Sequence, residues 1–336
     1  MLLQYSRKFW IRLGRTLLLF SLSCAIIILG ISKGNCNNII QKRGTTRTEA
    51  YNGMSQFERQ VAEQGLRLLP YDHPFVIAYE GTYGIKIDSY IATVGKVTVS
   101  GVPFEFGGDG AISGFSDRWW NTTNVRRYPV RGLDCAEYIV WVYKQLGYDL
   151  PDSSTSLFFA GKSGINRKLP GIREHLVLPS LDDALIGDVA YNSERYTYRS
   201  GHGSHTQLYF GTANKLGISH VLKTMYPDFP LDAHLVLDCG WSDGAYYYEL
   251  MRALRVRGAR RSMAGTGVQF FTSVKSGGEY LYRSPKTVYK WTNPETGHTF
   301  RIESRLEANN RLLQYKPSSK VEYPINISRP IMRPDA

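Results

Sequence analysis

The spacing of the apolar residues changes period along this chain, and no single motif constrains the fold as strongly. In the first half they recur at helical spacing. From Ser55, "SQFERQVAEQGLRLL" puts Phe57, Val61, Gln64 or Gly65, and Leu68 near one face. In "AEYIVWVYKQLG", Ile139, Val142, Tyr143 and Leu146 follow i, i+3, i+4, i+7. Gly147 stands where a helix ends in a left-handed residue, and Pro151 blocks continuation. Beyond residue 185 the period drops to two. "IGDVAYN" (Ile186 to Asn192) is a short apolar run after an acidic turn. "SHTQLYFG" alternates, with His205, Gln207 and Tyr209 on one face and Thr206, Leu208 and Phe210 on the other. "AHLVLDCG" alternates again, with His234, Val236 and Asp238 sharing a face. Helices first and antiparallel strands afterwards predict an α+β fold rather than βαβ winding.

Between these regions the pattern is mixed. Residues 75–102 are rich in β-branched and aromatic residues broken by glycine, which predicts short strands or a helix–strand mixture. A glycine-rich turn, "GVPFEFGGDG", leads into a long polar loop carrying Trp119 and Trp120. Near the end, Tyr280, Tyr282, Val288 and Tyr289 are candidates for one hairpin, and the last 30 residues are expected to run over the surface or remain disordered.

The ends differ from the body. Arg7, Lys8, Arg12 and Arg15 precede "TLLLFSLSCAIIILGIS". A basic segment before an apolar run predicts export, by a signal peptide or a signal anchor. The run is slightly shorter than the ~20 residues of a comfortable span. Cys24 does not fit a lipid-attachment site, because Ser21 stands where a bulky aliphatic residue is required. The expected organisation is a signal or anchor at 1–34, a polar linker at 35–54, a catalytic domain at 55–262 and a basic extension at 263–336. With 336 residues the chain can bury a sizeable core. Its formal net charge of +12 favours polyanionic partners; export argues against nucleic acid and for anionic lipid or cell-wall polymer, with a solvated basic surface as the alternative. Only Cys135 and Cys239 lie in the body, so the domain is not stapled by disulfides, and no cysteine or histidine cluster has zinc spacing.

One cysteine invites chemistry. In "GLDCAEYIVWV", Asp134 is a good N-cap, which puts Cys135 in the first turn of the helix. The helix dipole and the free N–H groups there stabilise a thiolate, the nucleophilic form of the side chain. The bland alternative is a buried thiol packed as a small hydrophobe. A nucleophilic cysteine needs a base, and of seven histidines His205 is best placed, at the start of an alternating strand. A third polar group should fix the tautomer of that ring. Asp238 is one candidate, since a carboxylate amid Val236, Leu237 and Cys239 needs a reason to be buried. His220, closer in sequence to His205, is the other. His202 and His205 have no further metal ligands clustered near them.

The ordered series "GVPFEFGGDG", "GLDCAEYIVWVYKQLGYDLPDSS", "LDDALIGDVAYN", "SHTQLYFG" and "LVLDCGWSDG", over roughly residues 95–245, resembles the NlpC/P60 family of cell-wall cysteine peptidases. The resemblance implies a papain-like α+β fold, with Cys135 as nucleophile, His205 as base and Asp238 or His220 as the orienting residue. It implies peptidoglycan stem peptides as substrates, typically cut beside the γ-linked D-glutamyl residue, and no metal or organic cofactor. Departures from the family pattern are Ala136-Glu137 after the cysteine, Phe104 where a tyrosine often stands, and Asp152 where arginine is common. Without that tyrosine, backbone N–H groups near Cys135 are expected to hold the oxyanion. The departures keep two alternatives open: a non-catalytic wall-binding or scaffold protein on the same fold, and a papain-like amidase or acyltransferase. The expected location is the cell envelope, with the membrane as a partner if the N-terminal segment is retained.

Overall fold

Ser55 starts the first helix for a local reason. In the computed structural model its hydroxyl accepts from the Glu58 N–H, and the Glu58 carboxylate accepts from the Ser55 N–H. This reciprocal cap satisfies two donors that a helix start leaves without partners. The structure describes residues 53–94, 96–103, 132–148, 150, 172–192, 205–253, 265–274, 280–304 and 327–332. The basic segment and apolar run at the N-terminus lie outside these residues. So do Phe104, Trp119, Trp120, Pro151, Asp152 and His202.

Helix α1 (Gln56–Leu66) buries Val61, Ala62, Gly65 and Leu66. Gly65 allows its close approach to the sheet, since a Cβ there would stand 2.4 Å from Leu237 Cδ1. Helix α2 (Pro74–Tyr83) is capped by His73, whose Nδ1 accepts from the Phe75 N–H. A small hairpin follows, β1 (Ile91–Val94) with β2 (Val97–Ser100), so the region 75–102 is a helix–strand mixture. Helix α3 (Glu137–Gln145) is buried on all sides from Glu137 to Tyr143 rather than along one stripe. Tyr138, Val140 and Trp141 fall between the stripe positions and are themselves large and apolar enough to be enclosed.

The main sheet has six strands, every neighbour antiparallel: β3 (Ile172–Val177), β12 (Ile327–Met332), β4 (Val189–Asn192), β5 (His205–Gly211), β6 (Leu235–Ser242) and β7 (Gly265–Phe270), in that spatial order. The architecture is therefore α+β. Alternation puts Leu208, Phe210, Leu235 and Leu237 on the face that packs against α1, α2 and α3. Ala190, Tyr209 and Val236 face the other way, into a smaller cluster with Phe271 and Ile327. Two further helices, α4 (Ser219–Met225) and α5 (Gly244–Ala253), flank β6 in sequence.

Two expectations about the C-terminal part do not hold. Tyr280 and Tyr289 do not belong to one hairpin: β9 (Tyr280–Tyr282) pairs with β8 (Ser273–Val274), and β10 (Tyr289–Thr292) pairs with β11 (Thr299–Ile302). The turn of the second hairpin is set by Asn293, whose side-chain oxygen accepts from the Glu295 and Thr296 N–H groups. Nor do the last 30 residues simply run over the surface, because Ile327–Met332 is an inner strand between β3 and β4. With β7 it brings two strands of the segment expected as an extension into the main sheet.

Candidate active site

The cysteine segment is anchored before the helix begins. Leu133 donates its N–H to Pro103 O at 3.1 Å, and Pro103 bridges to Gly265 at the start of β7. The Asp134 carboxylate then accepts from the Ala136 and Glu137 N–H groups at 2.8 and 2.9 Å, and the Tyr138 N–H donates to Asp134 O. Asp134 therefore does the work of a cap one turn ahead of the regular helix, and Cys135 sits on the helix tip. At the other end, the Tyr143 hydroxyl donates to Gly187 O at 2.5 Å and ties α3 to the turn before β4.

Two details alter the chemistry expected of that tip. The N–H groups of Ala136 and Glu137 are already committed to a carboxylate, which withdraws them as oxyanion donors. With its first N–H groups capped by a side chain, the helix tip also has fewer free donors with which to favour a thiolate. Ionisation of Cys135 therefore depends on a proton acceptor more than on the helix.

His205 is that acceptor. It opens β5, opposite Asn192 of β4, and is buried. The Cys135 side chain, which is partly exposed, hydrogen-bonds the ring. The ring's Nε2 lies 2.5 Å from Asp238 Oδ1, and Asp238 is wholly buried on β6. Burial alone would drive the proton off this imidazole. The negative charge of Asp238, with Cys135 and the hydrogen bonds to both, outweighs burial and raises its pKa to about 10. Thr206, the next residue on β5, donates its hydroxyl to Cys135 O at 3.0 Å. Cys135 and the start of β5 are thus joined through the Cys135 backbone as well as through the side chains of Cys135 and His205.

The structure brings Cys135, His205 and Asp238 together and leaves out His220, which is exposed on α4. Cys239 is a core residue. Its thiol donates to Leu133 O at 3.2 Å, and burial raises its pKa well above the usual thiol range. Glu137 is buried in the first turn of α3. Gly240 leaves room for the imidazole, since a Cβ there would meet His205 Cε1 at 3.0 Å and Asp238 Oδ2 at 3.3 Å.

Sequence reasoning missed two residues that shape the site. Thr206 carried a weak signal, as the one polar residue sharing a strand face with Leu208 and Phe210. Ser242, whose hydroxyl donates to Asp238 Oδ2 at 3.2 Å, carried none. Comparison with family models, with curated proteins and with solved structures finds no match to this chain.

Proposed function

We propose that this protein is an exported cysteine peptidase that hydrolyses peptide bonds in peptidoglycan stem peptides, on a papain-like fold of the NlpC/P60 kind. One observation carries the reading: a partly exposed thiol, a buried imidazole and a buried carboxylate stand in one hydrogen-bonded line, Cys135–His205–Asp238. The substrate class comes from the ordered motifs. The cell-envelope location comes from the basic and apolar N-terminal segment, and the +12 charge supports contact with anionic wall polymers.

The steps follow from the line of groups. With the ring's pKa raised to about 10, His205 at neutral pH already holds the proton of Cys135 as an imidazolium, and the thiolate beside it attacks the carbonyl carbon of the scissile bond. The C–N bond breaks as the imidazolium gives its proton to the leaving amine, and an acyl-enzyme remains on sulfur. His205 then removes a proton from water, the hydroxide attacks the thioester, and the returning proton restores the thiol. Asp238 holds the ring in place and stabilises its charged form throughout. These steps use side chains and water alone.

The decisive experiment is digestion of purified peptidoglycan by wild type and Cys135→Ala, with released fragments identified by mass. Wild type should release stem-peptide fragments that the variant does not. Equal release by both removes Cys135 as nucleophile. Iodoacetamide at neutral pH should label Cys135 and leave Cys239 untouched, and an inert Cys135 favours the scaffold alternative. Fragments cut only at a side-chain amide, or acyl groups passed to an amine, favour the amidase or acyltransferase alternative.

A further inference from the structure

We infer that Ser242 is a positioning residue that holds the Asp238 carboxylate in line with His205, a role that rests on the peptidase reading above. Ser242 lies four residues beyond Asp238 on the same strand. Along an extended strand that separation spans about 13 Å, too far for two short side chains to meet. They meet because β6 is irregular at this point: its register with β7 slips between Cys239 and Ser242. Such an irregularity bends a strand and re-aims its side chains. Here the bend returns the Ser242 hydroxyl to Asp238 Oδ2, while Oδ1 faces His205.

The bend is held from both sides. Within it, Gly240 faces the imidazole without a side chain. Just beyond it, Asp243 adopts φ +48, a region that residues other than glycine rarely occupy. Its buried carboxylate is held at one oxygen: Oδ1 accepts from the Arg301 N–H at 2.9 Å, while Oδ2 lies 3.2 Å from Nε2 of the buried His73 with no hydrogen bond between them. Gly267 on β7 makes room for this corner, since a Cβ there would stand 2.4 Å from Ser242 Cβ and 2.6 Å from Asp243 Oδ2. This much local constraint around one serine makes its hydroxyl a fixed donor. A carboxylate anchored at one oxygen cannot rotate its other oxygen away from the imidazole.

The test is a nuclear magnetic resonance titration of the His205 ring, paired with the rate of Cys135 alkylation by iodoacetamide. Asp238 on β6 and Cys135 before α3 are the charged and titratable partners of the ring, and both stay in place. Ser242→Ala, its fold checked by thermal melting, should lower the His205 midpoint by about one unit and slow alkylation near pH 8 severalfold, as weaker carboxylate coupling requires. Ser242→Thr, which keeps the hydroxyl, should restore both. If the alanine variant does not fold, Ser242→Cys, of similar shape with a weaker donor, should show a smaller fall. A midpoint that is unchanged or raised, or a fall that threonine fails to restore, overturns the role of Ser242 and leaves the peptidase reading intact. A wild-type Cys135 that resists alkylation, beside a His205 that titrates at its ordinary value, removes the peptidase reading itself.

Discussion

Asp238 is wholly buried, and a carboxylate at that depth is stable only against strong donors or a positive charge. His205 supplies both at 2.5 Å, so the pair is best understood as a shared charge. Its sign with pH follows directly. The ring's pKa is about 10 in the fold and 6.5 by itself, so the folded state holds the extra proton between those values. The stabilisation is complete below about pH 6.5 and fades as the pH rises through about 10. Asp238→Asn removes the carboxylate that raises the ring. The stability gap between wild type and this variant, measured by urea denaturation, should be widest near pH 6 and narrow towards pH 10. On the proposed peptidase function, peptidoglycan cleavage by the variant should fall about 10²-fold or more, since the amide cannot stabilise the imidazolium. A gap that widens towards pH 10 would contradict the assigned direction.

Helix α3 shows how one cap can serve two ends. Asp134 satisfies the first N–H groups of the helix and sets where Cys135 stands, and the same bonds take those groups from any other acceptor. Asp134→Ala should cost about 1 kcal/mol of stability by denaturant titration, the usual loss for a cap. It should leave the core of α3 in place, because Tyr138, Ile139, Trp141 and Val142 are fully buried whether or not the cap is present. A loss beyond about 3 kcal/mol would mean that Asp134 does more than cap, against the cap range of about 0.5–2 kcal/mol.

Across the molecule, the late strand β12 is joined to the rest by Arg329. Its guanidinium makes two bonds to Asp188, at 2.9 and 2.8 Å, and a third to Asp183 O. Asp188 is the aspartate of the Gly-Asp pair before β4, so that motif has a structural partner near the C-terminus. Burial raises the Asp188 pKa, and the arginine pulls against that shift without cancelling it. Arg329→Ala would leave this carboxylate buried without its guanidinium and should cost about 3–5 kcal/mol, read as a lower urea midpoint. An unchanged midpoint would show that β12 is held by its backbone pairing alone.

Local chemistry made much of this legible in the residues. The helix from Ser55, the period-two strands β5 and β6, Asp134 as a cap and Cys135 facing His205 follow from spacing and local chemistry, and the high energetic cost of burying a carboxylate made Asp238 one of two candidates for the third group. Long-range contacts were not legible. The pairing of β12 with β4 joins segments more than a hundred residues apart, and nothing in the residues of β12 carries an address for its neighbour. The exclusion of His220 and the return of Ser242 to Asp238 depend on side-chain directions that packing sets. Periodicity tells a residue which face it occupies. Only the folded chain, by closing distances that sequence separation does not measure, settles which groups on those faces touch.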